Sequence, residues 1–596
     1  MSTQAPGTAV DFSGEEGISH MINSGQPSTA ARPPLTARQL VAVLAATLAV
    51  CVLLLGWTIG QQPILGDESH HFHKAVSFFE APWSEMRLDH DPAYPASGEC
   101  AIRYWDASLW HLGLATIWKV LGQPWPFAAQ LYQVAFLLML GLLTFLAGRE
   151  LYGTAGGWWA WALVMSLPLN LLLGMVFYLE LPAAAMTALA VYAILRRRPL
   201  LLAFGLAGMF YMKLPSAAVL VGPLALAAAF YLGDTWRRRV GRTAMAFGAA
   251  FLLLLPDLVW RMAHFSGQPL IFHEDLAPLL QWICAQLPPI QESAIPLDIL
   301  DPVMAVGTLG LPGLVALVAA LAWGGWLLGR ALLGMARRVR SAGLRAMPAA
   351  MSEELHAELL VAAIPLLAFI AAYVAMLRMN YDVRYFYPAM FFACLLGGGL
   401  LARANPLGYL GPCRRLAQVA AGLLLLAMIG QTLTTPFVIH QRRTLPASVA
   451  AGFGWIRQHT PPGARIIYPE FNLVTLTGRP IIWAVLVPRY FFSVSEPQQM
   501  RLLSHLDVQY IALPPNRFVA KVVPTAEPTG YPIDWARSLS QRPYLTRVYP
   551  DHAIEPESGE FVLYRIDRDR IPPEWLAKPL FDYGKDDPQG RPGGPS

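Results

Sequence analysis

The 596-residue chain is 55% hydrophobic and only 14% charged, with a mean hydropathy of +0.42. That composition excludes an ordinary soluble enzyme and calls for a chain that crosses a bilayer many times. The formal net charge of +5 is small for this length and comes from arginines set between apolar segments. A basic face for nucleic acid is therefore excluded as well.

Residues 1–38 are rich in Ser, Thr, Gly and Pro without an apolar core, and are expected to form a disordered cytoplasmic lead. A cleavable signal peptide is not expected, because its charged region would lie nearer the start. Residues 40–59 form the first span, an uncleaved anchor, since a crossing takes about 20 apolar residues. Just beyond it lies Gly66-Asp67-Glu68-Ser69-His70-His71-Phe72-His73, with two carboxylates and three imidazoles outside the membrane. A carboxylate at the mouth of a low-dielectric bundle can take up a proton if nearby cations keep it ionised; the bland alternative is a helix end in the headgroup layer.

Residues 108–121 are apolar but short and contain His111 and Lys119. They are expected to lie as an amphipathic helix in the outer interface, with Trp105, Trp110, Trp118 and Trp125 at headgroup level. A crossing there would instead place the amino terminus outside. Further spans are predicted at 126–147, 157–176, 181–195, 200–212, 216–232, 244–260, 303–328, 359–377, 385–401 and 416–433, about eleven in all. Arginines at 149, 196–198, 237–242, 330–345 and 403–415 fall in alternate loops, which the positive-inside rule makes cytoplasmic. A transmembrane domain over 39–434 then carries two outer loops, 61–125 and 261–302.

After residue 434 the hydropathy changes. A helix at 448–459 and β-prone runs at 465–468, 480–487, 508–513 and 561–565 predict an extracytoplasmic α/β domain over 435–585, followed by a disordered tail at 586–596. No GxGxxG, P-loop or G-x-S-x-G motif occurs. Cys51, Cys100, Cys284, Cys394 and Cys413 form no CxxC pair or zinc spacing. Cys100 and Cys284 lie in loops on one oxidising side, where a disulfide can form.

The orientation gathers Asp67, Glu68, His70, His71, His73, Arg103, Asp106, Glu180, Lys213, Asp382 and Arg384 on the outer face. Ionisable groups at bilayer depth are costly and are kept for pairing or chemistry. Lys213 in GMFYMKLPSA interrupts an apolar run, either as a snorkelling span end or as a site cation. Glu180 in FYLELPAA either caps the following helix or enters the site. Arg384 in NYDVRYFYPAM suits a phosphate, because its planar donors bind two oxygens, while Tyr385 and Tyr387 can equally be interfacial anchors. Glu68 with His71 and His73 is a candidate divalent-metal set. His70 and His71 point about 100° apart on a helix, however, so His70, His71 and His73 cannot easily all share one ion. His264, His273, Glu274 and Asp275 are further metal candidates.

Several features occur in order: an Asp-Glu pair after the first span with histidines behind it, an acidic residue opening a later span, and a lysine closing the glycine-containing run 205–213. An Arg384-Tyr385-x-x-Pro388 start and a carboxy-terminal domain follow. This layout resembles the GT-C superfamily of polytopic glycosyltransferases, near the protein mannosyltransferase and aminoarabinose transferase group. The run DESHHF is also similar to the DExxHF run of the dolichyl-phosphate-glucose glucosyltransferases. The resemblance implies inverting transfer of one sugar from a polyprenyl-phosphate donor to a lipid, glycan or protein acceptor, at the outer face of the cell (inner) membrane. It implies Asp67 as general base and Glu68 as its orienting partner or a ligand of a divalent metal ion. Lys213, Arg384 and Tyr385 would hold the lipid phosphate, and Glu180, Arg103, His70 and Tyr387 would bind or orient substrate. The stretch from Arg87 to Arg103 follows no pattern that maps, so the acceptor stays open. A transporter or flippase of lipid-linked sugars would show matched halves, and none is seen. An O-antigen ligase or polymerase would carry several arginines in a large outer loop, whereas 261–302 has no basic residue after Arg261.

Overall fold

A computed structural model describes residues 35–59, 61, 66–86, 101–103, 109–264, 270–272, 302–343, 345, 347–376, 386–404, 414–442, 444–469, 472–483, 491–492, 495–515, 518–519, 531–552, 554 and 558–578. Helix α1 (Ala37–Thr58) opens on a capping box, in which Thr36 and Gln39 each accept the other's backbone N–H. There follow α2 (Gly66–Glu80), α3 (Leu109–Leu121), α4 (Pro126–Ser166), α5 (Pro168–Met175), α6 (Glu180–Leu195), α7 (Pro199–Met212), α8 (Leu214–Tyr231) and α9 (Trp236–His264). Then come α10 (Pro302–Ala342), α11 (Met347–Glu354), a π-helical turn (Leu359–Ala363) running into α12 (Ile364–Met376), α13 (Tyr387–Ala404) and α14 (Arg414–Arg442). Prolines open α4, α5, α7 and α8, where the missing N–H has no acceptor to lose.

All eleven apolar segments of the sequence fall on these helices, fewer of which are full-length spans among the described residues. Among the described residues α1, α4, α8, α9, α10 and α14 are long and apolar enough to cross a membrane, and α5 with α6 makes a seventh if that pair, bent by 114°, counts as one span. The difference has local causes: Pro168 breaks the 157–176 segment, and α7 at 14 residues is short for a crossing. Long α4 bends at Gly153 (φ 84°) and α10 at Gly310 (φ 67°), both in the left-handed region that favours glycine. Helices α4 and α13 come together backbone to backbone, since a Cβ on Gly398 would lie 2.5 Å from the Ala160 nitrogen.

Helix α3 buries Trp110, His111, Leu114 and Trp118 against α2 and α4. The Trp110 and Trp118 rings are thus packed into protein instead of facing lipid headgroups; Trp125 is half exposed, and Trp105 lies outside the described residues. A short antiparallel pair, β1 (Ala101–Arg103) with β2 (Leu270–Phe272), joins the 61–125 and 261–302 loops at one end of the bundle. Cys100 and Cys284 lie outside the described residues.

Beyond the bundle come α15 (Ala447–His459), β3 (Arg465–Tyr468), α16 (Asn472–Thr477), β4 (Ile481–Trp483), α17 (Glu496–His505), β5 (Val508–Leu513), β6 (Phe518–Val519), β7 (Tyr531–Pro532), α18 (Ile533–Ser538), β8 (Leu545–Tyr549), β9 (Val562–Ile566) and α19 (Pro573–Leu576). Five strands form one mixed sheet in the order β4-β3-β5-β9-β8, with β4, β3 and β5 parallel and β9 antiparallel to both neighbours. Alternation at period two feeds separate cores on its two faces. Ile466, Tyr468, Ala512 and Leu563 pack with α15 and α16, while Ile467, Ile511, Leu513, Val562 and Tyr564 pack with α17 and α18.

Candidate active site

Helix α2 carries charge and imidazole on nearly every face, yet it is enclosed. Glu68, Ser69 and Lys74 are fully buried, and His70, His71 and His73 nearly so. Ionised groups at such depth persist only where they are paired and hydrogen-bonded. The His71 Nδ1 lies 3.1 Å from Nε2 of His111 on α3, so one ring donates and the other accepts. Its ring also meets the edges of Trp110 and Tyr178, while Phe72 packs between Trp118 and Phe177. On the far side of α2, His73 Nε2 lies 2.8 Å from Thr475 Oγ1 of α16, so the carboxy-terminal unit touches this helix directly. Burial, and next the neighbouring His70, hold the His73 imidazolium down to a pKa of about 4. Lys119 closes the other end of α2: its ammonium donates to the Phe79 and Ala81 carbonyls at 2.8 and 2.5 Å, the place on a helix that favours a cation.

The floor beneath α2 is the sharp bend at residues 176–179 between α5 and α6. Buried Gln133 sets it by accepting from Trp110 Nε1 at 3.0 Å and donating to the Leu173 and Tyr178 carbonyls at 2.8 and 3.0 Å. Two residues after Tyr178, Glu180 opens α6 and forms an ion pair with Lys213, the extended residue joining α7 to α8. Glu180 thus lies in the first turn of α6, where a carboxylate suits the helix dipole, and is paired with Lys213. His71, Tyr178, Glu180 and Lys213 thus follow one another from α2 through the bend to the α7–α8 joint.

Beside that joint an apolar groove of about 340 Å³ runs between α7, α8 and α9, walled by Leu206, Phe210, Leu214, Val221, Phe247, Phe251 and Leu254. One end is ionic: Arg261 Nε lies 2.6 Å from Asp257 Oδ2, and both side chains are buried.

Several expected site residues are described in part or not at all. The Asp67 backbone is in α2 directly before Glu68, but its side chain is outside the described residues, as are Asp106, Asp382, Arg384, Tyr385, His273, Glu274 and Asp275. Arg103 is placed by strand register only, opposite Leu270 of β2. Tyr387 is no interfacial anchor; it is buried and donates a hydrogen bond to Asn170 of α5. The metal set of Glu68, His71 and His73 is not assembled. Two residues on a helix turn the side chain through about 200°, so His71 faces His111 while His73 faces Thr475. Among the described residues no three of His, Cys, Asp and Glu converge to hold an ion.

Sequence reasoning missed Lys74, Gln133, Asn170 and the Asp257–Arg261 pair. For the last a signal existed, since an acid and a base four residues apart inside an apolar helix face each other. Gln133 and Asn170 look like any amide in a span.

No protein-family model matches the chain, and no curated protein matches it by sequence. Its structure is similar to ArnT from Cupriavidus metallidurans in the apo state, with a TM-score of 0.53 at 13% identity over 90% of this chain and 99% of that one. The same protein bound to undecaprenyl phosphate matches with a TM-score of 0.53 at 13% identity, over 89% and 98%. The Archaeoglobus fulgidus oligosaccharyltransferase in the apo form follows with a TM-score of 0.47 at 11% identity, over 79% and 69%. Over 90% of its length, then, the chain shares the fold of ArnT.

Proposed function

We propose that the protein is an inverting glycosyltransferase that moves one sugar from a polyprenyl-phosphate donor to a hydroxyl of a lipid, glycan or protein acceptor. The observation that carries this reading is the apolar groove between α7, α8 and α9 that ends at buried Arg261 beside the Lys213 joint. A polyprenyl chain needs a long apolar track, and its phosphate needs cations held in place before the reaction. Arg261 offers planar paired donors, Lys213 a point charge, and Arg384 with Tyr385 completes the phosphate site. Asp67 takes the proton from the acceptor hydroxyl. That oxygen attacks the anomeric carbon from the face opposite the phosphate, the bond from that carbon to the phosphate oxygen breaks, and the lipid phosphate leaves with the electron pair. Buried Glu68 and the His71–His111 contact orient α2, while His70, Arg103 and Glu180 position donor and acceptor.

In this reading the arginine-rich loops face the cytoplasm, and the α2 end lies outside with the carboxy-terminal unit docked on it. The catalytic bundle runs from residue 39 to the end of α14 at Arg442, and the α/β domain follows it to 585. Transfer by the purified protein from a panel of synthetic polyprenyl-phosphate sugars tests it. Asp67→Asn is expected to abolish turnover while donor binding survives, and an Asp67→Asn protein with full activity would remove the base assignment.

A further inference from the structure

At the arginine-rich end of α10 a second cavity, of about 550 Å³, opens between that helix and α11. Trp326, Arg330, Leu333 and Arg337 line it from one face of α10, since their spacings of four, three and four residues follow the helical repeat. Arg330 lies over the Trp326 ring, 5.5 Å from its centroid, so one guanidinium is held at the rim. Arg337 stands two turns further on, about 10 Å along the axis. The opposite wall is Glu354 of α11. Gly334 lets it approach, because a Cβ there would fall 2.5 Å from the carboxylate. Arg338 Nε, 3.5 Å away, partly balances that carboxylate and also pairs with Glu353. Three arginines against two glutamates leave the cavity cationic. Towards the membrane, α10 presents Leu311, Val315 and Val318 outward, each more than half exposed.

The cavity thus sits where a lipid-facing apolar surface turns into a pair of guanidiniums, of which Arg330 is held against Trp326. We propose that it binds the headgroup of an anionic glycerophospholipid of the phosphatidylglycerol class. The phosphodiester lies between Arg330 and Arg337, the glycerol hydroxyls donate to Glu354, and the acyl chains follow the exposed face of α10. A choline headgroup would need the Trp326 face and the Glu354 carboxylate for its ammonium, and arginines already engage both.

The test uses the full chain in a neutral detergent, with lipid retention read by native mass spectrometry and Tm by thermal unfolding. Phosphatidylglycerol is expected to be retained at least tenfold more than phosphatidylcholine of the same chain length, and to raise Tm. Soluble glycerol phosphate should leave Tm unchanged. The Arg330→Ala/Arg337→Ala protein is expected to lose the preference, as is the single Arg337→Glu protein, which alters one exposed side chain if the double variant folds poorly. Equal retention of the two lipids, an undiminished preference in a folded variant, or the same Tm rise from glycerol phosphate would each overturn the assignment.

Discussion

At the scale of single residues, the buried imidazole on the far side of α2 carries a consequence for acid stability. His73 titrates near 4 in the folded protein against an ordinary value near 6.5, because burial first and His70 second disfavour its charged form. The unfolded chain therefore binds the extra proton between these values. Stability contributed by the neutral ring is complete above pH 6.5 and falls as pH drops towards 4, by roughly 3 kcal/mol at the low end. Thermal unfolding of wild type and His73→Gln between pH 7 and 4 is expected to show a steeper loss for wild type, and parallel curves would mean that the ring is charged or open to water. The Glu180–Lys213 pair gives a second prediction. Removing one partner takes the ion pair from a buried charge at a cost of up to about 3–5 kcal/mol, while removing both removes the charge as well. Glu180→Ala should therefore destabilise more than Glu180→Ala combined with Lys213→Met, measured as midpoints in the same detergent. Both residues stand out in the sequence as lone charges in apolar runs, but their pairing does not, since it spans 33 residues and depends on how three helices meet.

At the scale of elements, the apolar runs were legible because a backbone in lipid has almost no alternative to the helix. The strands β3 and β5 coincide with β-prone runs for a similar reason, since their residues alternate between two buried faces. The bends were not legible. Gly153 and Gly310 look like any other glycine among the 48 in the chain, and the 176–179 bend is set by Gln133 from a different helix. The β1–β2 pair joins residues far apart in sequence, which no local pattern reports. Helix α2 is held on one side by His111, at its end by Lys119, and on the other side by Thr475. If the α/β unit serves to hold α2 in place, Thr475→Val removes one hydrogen bond worth about 1 kcal/mol and loosens the helix that bears Asp67. Turnover should fall several-fold with donor affinity unchanged. A loss of donor affinity with turnover intact would place the contact in binding and not in orientation.

At the scale of the whole molecule, the bundle is fastened at both ends, and its two fastenings are separable. Helix α6 runs from Glu180 to Leu195, beyond which Arg196 pairs with Glu150 at 3.3 Å, so the arginine-rich end lies about 24 Å from the proposed site. At that end Arg403 of α13 grips Glu358 through two bonds of 2.9 and 2.6 Å, and Trp323 of α10 donates to the same carboxylate at 2.8 Å. The guanidinium is sandwiched by ring faces, 5.4 Å from Tyr152 of α4 and 5.3 Å from Trp323. One ion pair thus ties together α4, α10, α13 and the π-helical turn that follows Glu358. Its geometry depends on a planar fork that stacks and bonds at once, which lysine cannot reproduce. Glu358→Gln is expected to lower stability by about 2–3 kcal/mol, less than for a wholly buried pair because Arg403 is about a third exposed. Arg403→Lys should lose nearly as much although the charge is kept. Because the lock and α2 sit at opposite ends of α6, the turnover of the protein that stays folded should match wild type in both variants. Full stability in Arg403→Lys would show that charge alone holds this end, whereas a matching fall in turnover would show that the two ends are coupled through α6.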